Sequence, residues 1–410
     1  MNKIIIFLVI GIILRIFLAA TTYHPDLQTF NLSGQIIASG HILDIYDYLQ
    51  NLPNDHSWKN LALFNYPPAI YLFHGIFNFI FSNIFQLWQV NYFMMDVITN
   101  YGNFQFNIHL ALLKLPYLIF DLLTAFFLMK LFESRKDRLL IFALWIFNPI
   151  NLYATYMMGQ FDIIPTTFSV LAMVVATKGK LSTAALLLGF GIAFKVFPIF
   201  LLPILVLLAN RWSERIKIGL IALTPYLLSL LPFLSSQGFR TNAFFADQGS
   251  KSLYAVLPIS GGEMIFLFPF FLLTFYLILL RRGVSKAYLN RYFLITFLLF
   301  FIFTHFHPQW LLWVTPFIII CLVKEKTRNF VQILVLFISY AISLFFFESS
   351  LTINLFAPLI PSLKALPPIW EIINRPIDIN YARSLTQTIF AAAAFYLIYI
   401  HFPPQDAQDK

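Results

Sequence analysis

The sequence predicts an all-α integral membrane protein with about 12 transmembrane helices, on three observations. Sixty per cent of its 410 residues are apolar, only 11% are charged, and its Lys and Arg residues fall in clusters separated by apolar runs of helical length. A mean hydropathy of +0.78 with 18% aromatics cannot describe a soluble domain of this size. The sole cysteine, Cys321, excludes an intramolecular disulfide or a cysteine-rich metal cage.

The first element is the apolar run 4–20 after Lys3, long for a secretory h-region and followed by no A-x-A site, so it reads as an uncleaved helix. Cationic clusters then punctuate the chain: Lys130 to Arg138, Lys178 and Lys180, Arg211 to Lys217, Arg281 to Arg291, and Lys324 to Arg328. Together with Lys3 and Lys410 these hold 18 of the 27 Lys and Arg residues. Cations in short loops stay on the cytoplasmic side, which orients the spans between them. The spans expected are 4–20, 109–131, 139–157, 163–177, 181–194, 198–210, 217–233, 263–280, 290–304, 309–323, 330–347 and 382–401. A bilayer core needs about 20 helical residues, so the pair around 181–210 is short and reads as a helical turn-back. Counting the aromatic stretch 66–90 as a span would invert every later loop, so it is expected to be an interfacial or re-entrant helix.

On this map one polytopic domain occupies 1–410, with a long extracytoplasmic first loop at 21–108, a helical module at 109–315 and C-terminal helices at 316–410. The outer face is acidic and aromatic, the inner face basic. The net charge of +9 thus reflects topology and anionic lipid, with no call for nucleic acid.

Candidate chemistry falls on the outer side. Asp26, in Tyr23-His24-Pro25-Asp26, lies where the chain first leaves the bilayer and is the best candidate for a catalytic base. Asn65-Tyr66-Pro67-Pro68 starts a helix or presents Tyr66 at the interface. In Gly159-Gln160-Phe161-Asp162 the aspartate is either a helix cap or a substrate contact. Lys195, inside an apolar stretch, costs about 2.5–3.5 kcal/mol at bilayer depth unless it snorkels or finds a partner; a phosphate on a lipid would be one. His305 and His307 share a direction on extended backbone before Pro308. They would bind substrate or, with His24 and Asp26, a divalent metal such as Mg or Mn, although the spacing specifies no closed cage.

The order of an outer-loop Asp, YPP, DLLTAFFLMKL at 121–131, FNP with GQFD at 147–162, FKVFP at 194–198 and HPQWLLW at 307–313 resembles the GT-C superfamily of polyprenyl-phosphate-sugar-dependent glycosyltransferases. Within it the chain is most similar to the catalytic-subunit family of GPI mannosyltransferase I. The likeness covers about residues 20–315. It implies a GT-C fold with interfacial helices in the first outer loop, and Asp26 as the base that deprotonates the acceptor. Where that family has D-x-D, this chain has His24-Pro25-Asp26, which puts metal dependence in question. The resemblance also implies a phosphate contact at Lys195, sugar or acceptor contacts at Gln160 and Asp162, and wall residues at Tyr66 and Gln309, with His24, His305 and His307 nearby. Arg240, Lys251, Arg375 and Arg383 are second candidates for the phosphate.

The implied activity is inverting transfer of a hexose, mannose by analogy, from a polyprenyl-phosphate donor to a lipid or glycan acceptor at the outer face of a prokaryotic plasma membrane. A polymerase or ligase of lipid-linked glycans shares the hydropathy and donor type. A flippase would be expected to show two related halves, which the sequence lacks.

Overall fold

A computed structural model of the protein describes residues 2–56, 58–59, 64–244, 247–373 and 377–404. The chain is a helical bundle: α1 (Asn2–Thr21), α2 (Asp26–Ala38), α3 (Ile45–Asn51), α4 (Pro68–Phe85), α5 (Leu87–Met95), α6 (Phe104–Met129), α7 (Arg135–Ile146), α8 (Pro149–Asn151), α9 (Ile163–Thr177), α10 (Leu181–Phe194), α11 (Leu202–Leu207), α12 (Trp212–Leu230), α13 (Leu267–Arg282), α14 (Leu289–Phe303), α15 (Thr315–Lys324), α16 (Phe330–Ser343), α17 (Ile369–Ile373) and α18 (Ile379–His401). A two-stranded antiparallel hairpin, β1 (Val256–Pro258) and β2 (Met264–Phe266), precedes α13.

Among the described residues seven helices are long and apolar enough to cross a membrane: Lys3–Thr21, Pro68–Phe85, Phe104–Met129, Arg135–Met157, Trp212–Phe233, Lys286–Phe303 and Ile379–His401. Six coincide with expected spans. The other six expected spans are helices too, but shorter. Several of these, notably α9 and α15, are buried almost throughout. A helix enclosed by protein can stop short of the full bilayer thickness, because its neighbours can satisfy the backbone beyond its ends. The seventh, α4, was expected at the interface; it packs along α2 and touches α6 and α10 through Phe73 and His74. That packing is tight, since a methyl group at Gly34 would sit 2.3 Å from Asn78 Nδ2 and 2.9 Å from the His74 carbonyl.

The expected cationic clusters fall at the α6–α7, α9–α10, α13–α14 and α15–α16 turns and at the starts of α1 and α12. The opposite ends of these helices converge elsewhere, and the functional candidates sit there. Deep in the bundle, Arg15 of α1 donates to Asp121 of α6 at 2.6 Å. Trp145, Asn151 and Tyr156 also donate to that carboxylate, at 2.7, 2.8 and 2.7 Å. Both charges are wholly buried, and pairing plus these donors offsets a desolvation cost that neither could bear alone. DLLTAFFLMKL is therefore a structural element whose aspartate ties α1, α6 and α7 together.

Candidate active site

A cavity of about 940 Å³ opens where the helix ends converge. It is lined by His24, Asp26, Tyr66, Lys195, Lys251, His305, His307, Gln309, Trp310, Trp313, Glu348 and Arg383, among others. The structure thus brings together residues spread over more than 350 positions of sequence.

Asp26 is the first residue of α2. Pro25 precedes it, where a missing N–H costs no helical bond, and the helix N-terminus favours an acidic side chain. His24 turns its Nδ1 to accept from the Asp26 amide at 3.2 Å and lies 3.8 Å from Oδ2. Burial lowers the His24 pKa from its usual value, against the pull of Asp26 and Glu348. The Asp26 carboxylate is 39% exposed, so substrate can reach it. Its Oδ2 accepts from Gln160 Nε2 at 2.6 Å.

Gln160 is delivered by an unusual piece of backbone. Asn148 caps the turn Pro149–Asn151 through its Oδ1, the helix widens to a π turn over Leu152–Met157, and Gly159 ends it at φ +68°. That left-handed conformation suits glycine, and a methyl there would also press on Leu27 and Lys114 at 3.2 Å. Gln160 is fully buried, and its Oε1 has no partner among the described residues.

Asp162 begins α9, yet its side chain makes no capping bond. It instead pairs with Lys195 Nζ at 2.8 and 3.0 Å and accepts from Trp313 Nε1 at 2.5 Å. Lys195, in extended conformation at the end of α10, is enclosed by Tyr66, Phe161, Trp310 and Trp313, with ring centroids 5.1–5.6 Å from Nζ. The lysine has its partner inside the protein, and Asp162, with no exposed surface, serves that lysine. This is a different use from a free cation awaiting phosphate.

Thr304 and His307 are extended, His307 as expected before Pro308, and His305 and His307 both reach the cavity. Tyr340 of α16 donates to the Pro308 carbonyl at 2.9 Å and anchors the segment. Lys251 Nζ lies 2.7 Å from His307 Nε2. An ammonium can only donate, so that ring nitrogen accepts and the proton sits on Nδ1. Burial, with Lys251, Lys195 and His305 adding to it, pushes the His307 pKa down to about 4, only partly opposed by Asp26. Burial also lowers the Lys251 pKa. Arg383, in the first turns of α18, donates to the Phe346 carbonyl at the cavity wall.

Of the remaining candidates, Arg240 is exposed, donates to the Leu234 carbonyl at 2.8 Å and does not line the cavity. Arg375 lies outside the described residues. Gln309 is buried in the wall with its Oε1 unpartnered. Among the described residues no three His, Cys, Asp or Glu side chains converge as a metal cage. Sequence reasoning missed Trp310, Trp313 and Glu348. The two tryptophans stood in the HPQWLLW run but read as span residues, and Glu348 is an isolated acidic residue after the expected span 330–347.

The family model of glycosyltransferase family 87, a family of GT-C type, matches residues 64–251, somewhat under half of the chain. The match supports a glycosyltransferase. It includes Tyr66, Gln160, Asp162, Lys195 and Lys251 and leaves Asp26 and the histidine segment outside. No curated protein matches the chain.

Proposed function

We propose that the protein is an inverting hexosyltransferase that takes its sugar, mannose by the nearest resemblance, from a polyprenyl phosphate and passes it to a lipid-linked or glycan acceptor, with Asp26 as base. The observation that carries the reading is that one cavity holds a reachable carboxylate, oriented by Gln160, together with Lys251 and Arg383. Neither of those cations has a carboxylate within ion-pair distance among the described residues. Displacing a lipid phosphate from a sugar carbon builds negative charge on the leaving oxygen while the attacking hydroxyl sheds its proton, so a base and a cation are both needed. Single-step attack inverts the anomeric centre and requires no second carboxylate as nucleophile. With α4 lying at the interface and not spanning, the cationic turns favour an extracytoplasmic cavity.

The test is transfer of radiolabelled hexose from synthetic polyprenyl-phosphate-hexose to a membrane lipid extract, comparing purified wild type with Asp26→Asn. Loss of transfer in a folded mutant supports the assignment. Equal transfer by both removes Asp26 from the chemistry and favours the ligase or polymerase reading, centred on the histidines. Binding of the donor without transfer in either protein points to the flippase.

A further inference from the structure

Lys114 stands on α6, one of the helices long enough to span, and is wholly buried. Among the described residues no carboxylate lies within ion-pair distance of it, and it does not line the cavity. A cation at that depth needs partners, and here they are oxygens of the chain itself. Its Nζ donates to the carbonyls of Thr22 and Ala19 at 2.6 and 3.0 Å, and lies 3.3 Å from the Thr22 hydroxyl and 3.5 Å from the Met157 carbonyl. The first three belong to the end of α1, where carbonyls lack intrahelical donors and carry the negative end of the helix dipole. The fourth belongs to the last residue of the π turn.

The lysine stem runs beside that same turn, since a methyl at Gly159 would sit 3.2 Å from Cε and 3.5 Å from Cγ. The Thr22 hydroxyl lies 3.2 Å from the Tyr156 carbonyl. Thr22 is four residues before Asp26, and Met157 is three before Gln160. One ammonium therefore bridges the two stretches of chain whose side chains meet in the 2.6 Å bond between Gln160 and Asp26, residues 134 apart in sequence. About two turns further along α6, Asp121 gathers donors from the same two stretches, Arg15 of α1 and Asn151 and Tyr156 before Gly159. The helix thus offers a carboxylate to their donors and an ammonium to their acceptors.

We propose that Lys114 is a positioning residue for the base: by clasping the end of α1 to the π turn, it holds Gln160 in register with Asp26 before substrate arrives. The proposal rests on Asp26 being the base and adds the residue that sets its hydrogen bond. An apolar side chain of similar length would fill the space but leave the Ala19 and Thr22 carbonyls without this donor, and nothing on α6 would then draw the two stretches together at that level. Burial, and after it the Lys114 charge, disfavours protonation of His24 against the pull of Asp26 and Glu348, which leaves Nδ1 free to accept from the Asp26 amide.

The test compares wild type, Lys114→Met, Gln160→Leu and the double variant as full chains in detergent, by hexose transfer and by amide hydrogen exchange. Lys114→Met should lower kcat about 10- to 100-fold, the cost of a lost bond to a charged group, with both KM values within about twofold. Exchange should quicken in peptides covering residues 22–28 and 156–161, while α9 and α14 keep their rates. Both substitutions act through one hydrogen bond, so the double variant should lose no more than the larger single loss. Unchanged kcat, losses that multiply, or a raised donor KM with kcat kept overturns the proposal. So does exchange that quickens evenly along the chain, which marks a general loss of stability. Wild-type transfer by Asp26→Asn overturns the base reading itself, and local exchange in Lys114→Met then still upholds or overturns the clasp. Should Lys114→Met not fold, Thr22→Val removes the hydroxyl that meets both Lys114 and the Tyr156 carbonyl, and must show the same pattern on a smaller scale; wild-type kcat and exchange in that variant overturn the clasp.

Discussion

Replacing Lys195 with methionine tests whether this cation serves the fold or the substrate. Methionine keeps the aliphatic bulk among Tyr66, Phe161, Trp310 and Trp313 while removing the ammonium from Asp162. The carboxylate has no exposed surface and the lysine side chain only 10%, so the pair is desolvated. Removing one partner of such a pair leaves an uncompensated buried charge and costs about 3–5 kcal/mol. Trp313 still donates to Oδ1, which argues for the lower half of that range. With about 2.1 cal/mol/K of unfolding entropy per residue, a chain of 410 residues shifts by about 1 °C per kcal/mol, so the melting temperature should drop by about 3–5 °C. Unfolding followed by tryptophan fluorescence in detergent measures it. Asp162→Asn with Lys195→Met removes both charges and should recover at least about half the loss, since coupled neighbours depart from additivity. If Lys195→Met melts within about 2 °C of wild type while raising the donor KM tenfold, the ion pair is incidental and the lysine is a phosphate ligand after all.

Gln160→Leu removes the bond to Asp26 without introducing charge. A hydrogen bond to a charged group is worth about 1.5–3 kcal/mol, so kcat should fall about 10- to 100-fold with the acceptor KM little changed. Gln160→Glu places a second carboxylate against Asp26 and should move the acid limb of the pH–rate profile upward. His307 has a native pKa near 4 against an ordinary 6.5, so between those values the unfolded chain takes up a proton that the native state refuses. Stability should therefore fall as pH drops through that window, and a melting series from pH 7 to pH 4 should be flatter for His307→Asn than for wild type. Asp121→Asn strands Arg15 in the bundle and should cost about 3–5 kcal/mol, read as lost yield of folded protein, with Arg15→Met restoring part of it in the double variant.

Six of the seven long apolar helices were legible because a run of apolar length between cationic turns is a local signal, while α4 was read as interfacial; the extended backbone of His307 was legible too, since Pro308 imposes it on the residue before it. The partners of the charges were not legible. Arg15 and Asp121 lie 106 residues apart and Lys195 and Asp162 lie 33 apart; no spacing rule links them. DLLTAFFLMKL reads in sequence as a recognition motif, yet its aspartate turns out to be tied by four side chains. The shortness of α9 and α10 was legible in their runs, whereas that of α15 was hidden, because hydropathy reports contact with something apolar and does not tell lipid from protein.

Pairing divides the charges of the bundle and the cavity in a way that position in the sequence cannot. Asp121 with Arg15 and Asp162 with Lys195 are closed units: each carboxylate already has its cation and further donors, so approach of a substrate would have to break bonds whose loss exposes a buried charge. Among the described residues the side chains of Asp26, Lys251 and Arg383 meet neutral or weakly basic partners: Gln160 and His24 for the first, His307 and the Trp310 ring for the second, and a backbone carbonyl for the third. These are the charges a substrate could compensate, and the cavity keeps them from compensating each other. The same logic explains the aromatic box. The four rings enclose Lys195 in the cavity wall and leave its charge paired with Asp162, so that the cavity cations without a carboxylate partner among the described residues are Lys251 and Arg383. Reversing that order is a sharp check: in Lys251→Met the donor KM should rise while the melting temperature stays within about 2 °C, the opposite pattern from Lys195→Met. If the two variants behave alike, pairing is not what separates structural from reactive charge in this protein.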